Sequence, residues 1–259
     1  AAMRLDWQTN DHYGLALLAI FGTLVAVLLL QWLIQRSPWA ARLQALQGVA
    51  PPFINIVGVL FGLTLAFLAS DTWSAHDRAM NAVYREADGL RSIAALADAL
   101  PAPLGGRLRA AIGSYASASA DEWPHLAQRR EAPEVLARAD ALLTLIASAE
   151  VASAAGANVQ ALMLSKASDI RAEHDLRVAL SKTHVNPLKW LGMAFLGFLT
   201  LVSVAVVHIE RPRAAFIAIV LFAFAAAPTA AIVLVQGNPF QTPTSVTPAP
   251  IEAIAAGLG

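Results

Sequence analysis

Polar and apolar positions divide the chain into four long apolar runs and one polar middle section. Residues 13–35, 43–70, 190–209 and 214–251 carry no Asp, Glu, Lys or Arg. Each run is long enough to hold the roughly 20 helical residues that cross a bilayer core. The runs are continuously apolar and do not alternate, so they predict helices and not barrel strands. The spans are placed at 13–33, 51–70, 187–208 and 214–235. A single such run suits a buried core helix, but four in 259 residues point to a membrane protein. The first is too long for the apolar part of a signal peptide, and only Arg4 precedes it among the basic residues. Ala1 and Ala2 come before Met3, which reads as the natural start.

Most of the charged residues fall between 71 and 186. This section is rich in Ala and Leu and poor in β-branched residues, which predicts helices near 71–99, 105–122, 133–150 and 158–184. Pro101, Pro103, Gly105 and Gly106 end the first helix, Pro124 and Pro133 bracket a connector, and Ala155-Gly156 marks a turn. The resulting plan is an all-α membrane protein with four transmembrane helices in two hairpins, 13–70 and 187–235. The hairpins flank an extramembrane helical domain, 71–186, and an extended tail, 236–259, follows. Pro243, Pro248 and Pro250 suit an extended tail, while residues 251–258 offer a short apolar turn that can dock.

The second span is the most informative. Pro51-Pro52 can open a helix without losing a hydrogen bond. No further proline follows until Pro101, so one helix about 70 Å long is expected to run from the membrane segment into the extramembrane domain. At 100° per residue, Asn55, Gly58 and Gly62 share a stripe with Ala66 and Ala69. Gly58 and Gly62 form a G-x-x-x-G pair, which lets a neighbouring backbone approach, so this is the expected packing face. Phe53, Val57, Leu60, Thr64, Phe67 and Asp71 lie opposite. Such a bulky face meets either lipid or a pore. Apolar constrictions gate by dewetting, and charge at a mouth acts on passing ions. In the fourth span Pro228 predicts a kink with freed carbonyls.

Composition narrows the chemistry. There is no cysteine and the formal net charge is zero, with no basic run to suggest nucleic acid. The six histidines are scattered, without metal-ligand spacing, and neither a nucleophile elbow nor a phosphate loop is present. No cofactor, metal or catalytic residue is therefore assigned, and the enzyme class has nothing to rest on. Asp169 and Glu173 read as a solvated face. Arg36, Arg42, Arg211 and Arg213 lie in the short connections, while Arg4, Arg78, Arg85, Arg177 and Lys182 lie on the other side. By density this charge leans toward placing the short connections in the cytoplasm.

Several local runs converge on a known family. They are Leu60-Phe61-Gly62-Leu63-Thr64-Leu65-Ala66-Phe67, then Trp73, then Tyr84-Arg85-Glu86-Ala87 with Leu90-Arg91. Ala99-Leu100-Pro101, Tyr115, Asp121-Glu122-Trp123-Pro124, Asn186-Pro187 with Trp190, and Asn238-Pro239-Phe240 follow. Over residues 12–241 the chain resembles the bestrophin-like family of bacterial membrane proteins. The family is similar to bestrophins, pentameric anion channels with four membrane helices per subunit and a helical cytosolic domain. The resemblance implies a homopentamer in the bacterial inner membrane, with the helical domain and both termini in the cytoplasm, against the lean of the charge count. It also implies that the second span lines an apolar neck for small inorganic ions, with Val57, Leu60, Thr64, Phe67 and Asp71 as pore-lining candidates. The chain departs from bestrophins at Thr64, where they carry larger apolar residues. It also lacks their aromatic-plus-arginine run, reading Ser70-Asp71-Thr72-Trp73, and their acidic calcium clasp. The alternative is a membrane-anchored interaction protein whose helical domain docks a partner without a pore. A proton-driven motor-type complex would need a carboxylate within the membrane, and Asp71 sits at the edge.

Overall fold

The computed structural model describes residues 11–38, 40–45, 50–182 and 187–258. The start at Met3, and Arg4, His184 and Asn186, lie outside the described residues. Among the described residues all regular structure is helical: α1 (Asp11–Arg36), α2 (Ala40–Gln44), α3 (Ala50–Asp98), α4 (Ala102–Asp121), α5 (Trp123–Ala127) and α6 (Pro133–Ile146). Then come α7 (Ala149–Ala155), α8 (Ala157–Lys182), α9 (Pro187–Val207), α10 (Pro212–Val235) and α11 (Ala249–Leu258). The chain divides into two compact units, one of Ala1–Trp73 with His184–Gly237 and one of Ser74–Thr183 with Asn238–Gly259.

The first unit holds the four apolar spans. α1 packs on α10 and α9 through Val27, Leu30 and Ile34 against Leu201, Ala205, Ile219 and Ala223. A second cluster joins Phe61, Leu65 and Leu68 of α3 to Met193 of α9 and Ala230 and Val233 of α10. The outward faces stay apolar, with Leu18, Leu28, Leu191, Leu221 and Phe224 exposed. Exposed apolar faces on four helices of spanning length make this a multi-pass membrane protein. Pro228 does not break its span: α10 is continuous from Pro212 to Val235. A membrane helix tolerates a proline because neighbouring groups take up the freed backbone, and the Thr229 hydroxyl donates to the Ala225 carbonyl at 2.8 Å.

The second unit is built on residues 74–98 of α3, with α4, α6, α8 and α11 around Leu90, Ile93, Leu108, Ile112, Ile146 and Ile251. The expected 133–150 helix stops at Ile146, and α7 restarts behind Ser148, whose hydroxyl accepts the Val151 N–H. Gly156 follows α7 with φ +78°, the left-handed region that a side chain would strain. Two glycines permit close packing. A Cβ on Gly89 would lie 2.7 Å from Ile170 of α8, and one on Gly105 would lie 2.5 Å from the Ala97 carbonyl oxygen. The tail is not extended throughout, and the apolar turn expected at 251–258 is present as a helix. It ends in α11, which packs on α4 with Ile251 and Ile254 buried. Pro250 sits in the first turn of α11, where a proline costs no hydrogen bond, and the apolar stripe behind it needs a surface to cover it.

Candidate functional site: the second span and a buried ionic cluster

The membrane half of α3 buries, as a whole, neither of the two stripes that residue size suggests. Its packed arc runs from Val57 at the edge of the bulky stripe through Phe61, Leu65 and Leu68 to Ala69 at the edge of the small one. The reason lies on α9. Gly197 opens a recess there, and a Cβ on it would be 3.0 Å from the Phe61 ring. Phe61 enters that recess and tilts against Phe222, with ring centroids 5.5 Å apart. The small residue that permits close approach thus sits on α9, and the large one on α3. Val57, a pore-lining candidate, is turned inward at 3% exposure. Leu60 and Phe67 are exposed, Phe67 at 69%, and share the open arc with Ile56, Val59 and Leu63. Thr64 is half-buried and spends its hydroxyl on the Leu60 carbonyl at 2.7 Å. Asn55 and Gly62 are exposed and Gly58 is half-buried, with nothing near a Cβ at either glycine. Among the described residues, Ala69 is the one buried member of this stripe, in the cluster with Leu65 and Leu68.

Asp71 ends the open arc and is not a bare carboxylate. The Lys189 ammonium, in the first turn of α9, donates to it at 2.7 Å, with both side chains more than half exposed. Trp73 Nε1 donates to Gln236 Oε1 at 3.0 Å. This edge of the apolar unit is a row of paired polar groups, the arrangement an interface between lipid and water favours.

In the second unit, the three sequence pieces most specific to the resemblance meet in one buried cluster. Glu86 of α3 projects from a stripe of core positions, Ala79, Val83, Ala87 and Leu90. Its carboxylate receives the forked guanidinium of Arg177 from α8, Nε at 2.8 Å and Nη2 at 3.2 Å. Tyr115 and Ser119 of α4 donate to the same carboxylate at 2.9 and 2.7 Å. Arg177 Nη2 also donates to Ser119 Oγ at 2.7 Å, and the guanidinium lies 4.8 Å from the centre of the Trp123 ring. Glu122 accepts from the Ala132 N–H and from His174 Nε2, each at 3.0 Å. Trp123 stacks edge-on to Phe240 and donates to the Val246 carbonyl at 2.6 Å. Asn238 closes the group, donating to the Leu126 carbonyl and accepting the Phe240 N–H.

The electrostatics follow from the partners. Burial pushes the Glu122 carboxyl up. The His174 hydrogen bond and charge, the Ala132 N–H and Arg177 outweigh that push and hold it below its ordinary value. Burial, then the Glu86 charge, drives the Tyr115 phenol well above its ordinary value, against the pull of Arg177. Tyr115 therefore stays a neutral donor. The cluster ties α3, α4, α5, α8 and the tail together by buried hydrogen bonds and the Glu86–Arg177 ion pair.

Sequence reasoning found Glu86, Tyr115, Glu122, Trp123, Asn238 and Phe240 as motif pieces, but missed that they touch. It counted Arg177 as a flanking charge and His174 as scattered. A signal was present: Met163, Ala167, Ile170, His174, Arg177 and Ser181 follow one helical stripe, and all are buried. Charged residues in a core register mark an internal cluster. Asp169 is exposed, and Glu173 pairs with Arg85 at 3.5 Å.

A family model described as Bestrophin-like domain matches residues 21–251. Among solved structures, a variant of a bacterial Bestrophin homolog from Klebsiella pneumoniae is 17% identical with a TM-score of 0.71, covering 94% of this chain and 96% of that one. A second variant of that homolog is 15% identical with a TM-score of 0.66 at the same coverage. A structure described as a membrane protein is 14% identical with a TM-score of 0.65, again covering 94% and 96%. At these identities the likeness is one of fold. Among curated proteins, none matches the chain.

Proposed function

Because the chain belongs to the Bestrophin-like family, we propose that it is the subunit of an oligomeric ion channel, a homopentamer that passes small anions through an apolar neck built from α3. One observation carries the reading: α3 packs one arc within its own chain and leaves Leu60, Leu63 and Phe67 open. Five such arcs facing a common axis form a narrow apolar constriction, which conducts or dewets with small changes in width. Asn55, Gly58 and Gly62, open on the flank of the same helix, then offer a close-approach surface to a neighbouring subunit. Phe67 is the narrowest point and Asp71 marks the mouth. In this reading the chain sits in the bacterial inner membrane with the helical unit in the cytoplasm, as in bestrophins.

Purified protein in liposomes tests it. Chloride flux is expected, and Phe67→Ala, by widening the neck, is expected to raise conductance. Absence of flux for any ion refutes the pore. Flux of cations alone keeps the pore and discards the anion. A Phe67→Ala variant that conducts like the parent places the open arc against lipid.

A further inference from the structure

We infer that Lys189 sets the ion preference at the Asp71 mouth, by cancelling a carboxylate that would otherwise exclude anions. The inference rests on the pore reading above. Asp71 is the only acidic residue between Asp11 and Asp77, and Lys189 the only Lys or Arg between Lys182 and Arg211. Each stands alone beside an apolar span, on different helices, and the two meet at 2.7 Å.

Lys189 also sits where a helix does not favour a cation. It lies in the first turn of α9, and the positive end of the helix dipole opposes it there. Stability does not account for the placement, because a pair with both side chains more than half exposed contributes little to folding.

The charge pattern does account for it. Asp71 follows Phe67 by one turn, on the open side of α3. Alone, a carboxylate in that place draws cations to the neck and repels anions, and in an oligomer it is repeated as a ring. With the ammonium in contact, the mouth carries no net charge. One of the three Lys189 N–H donors is spent on Asp71, which leaves two that can meet a passing anion.

The test is the chloride-to-potassium permeability ratio of the reconstituted full-length protein, from reversal potentials in a salt gradient. Lys189→Arg keeps the charge and is expected to keep the ratio. Lys189→Gln is expected to lower the ratio about fivefold, the factor a unit charge about 4 Å away is worth in water. Adding Asp71→Asn to Lys189→Gln is expected to restore it. An unchanged ratio in conducting Lys189→Gln overturns the inference and leaves the pore standing. A loss that Asp71→Asn does not restore also overturns it, since Lys189 would then act without Asp71. Absence of any flux from the parent protein overturns the pore reading, and the inference with it.

Discussion

A guanidinium taken fully out of water needs a partner of matching shape and charge, and Arg177 has one in Glu86. The guanidinium meets the carboxylate through two nitrogens, Nε at 2.8 Å and Nη2 at 3.2 Å, which a lysine cannot reproduce. Removing one side of such a pair strands the other charge. Arg177→Ala is expected to cost about 3–5 kcal/mol, with Arg177→Lys recovering little, as read by chemical unfolding followed by far-UV circular dichroism. Glu122 adds a pH dependence. Its folded value is depressed, so its contribution is fully present above its ordinary value of 4.5 and is lost as pH falls through the folded value. Thermal unfolding is therefore expected to come at lower temperature on acidification below that point, with Glu122→Gln flattening the slope. An unaltered slope in that variant assigns the acid sensitivity to other carboxylates.

At the scale of the element, α3 shows why side-chain size does not reveal which face packs. A G-x-x-x-G pair marks a surface that permits close approach, but the partner has to be present. Within the chain the partner of α3 brings its own recess at Gly197, so Phe61 and Leu65 turn inward and Gly58 and Gly62 stay open. Gly197→Leu is expected to drive side-chain atoms into the Phe61 ring and to destabilise the membrane unit by about 1–3 kcal/mol, read by thermal unfolding in detergent. A melting curve identical to the parent's shows that α3 and α9 separate without cost. The unbroken run of α3 from Ala50 to Asp98 is, by contrast, a local property. No proline interrupts it after Pro52, and its one deep close contact, at Gly89, is met by a glycine.

At the scale of the molecule, a single chain leaves a long apolar arc of α3 and a small-residue flank uncovered. In the proposed pentamer the arc lines the neck and the flank meets a neighbouring subunit. Native mass spectrometry is expected to give five times the 27.3 kDa chain, with Gly58→Leu or Gly62→Leu reducing the assembly while the protomer keeps its helix content. A monomer or dimer from the parent protein favours a membrane-anchored interaction role and removes the neck. The two outcomes separate at the first mass, before any flux is measured.

Legible in the sequence alone are the four spans, the long helix that begins at Pro51-Pro52, and the motif pieces at Glu86, Glu122 and Asn238. The spans and the long helix rest on hydropathy, periodicity and proline placement, which are legible locally, while the motif pieces rest on the family resemblance. It takes the tertiary structure to show which arc of α3 is packed, that Arg177 and His174 complete the buried cluster, that the end of the tail docks on α4, and that Lys189 answers Asp71. Each of these depends on a partner far away in sequence: 118 positions for Asp71 and Lys189, 91 for Glu86 and Arg177. A helix displays its faces in its own sequence, but which face is covered is chosen by the shape and charge of what folds against it.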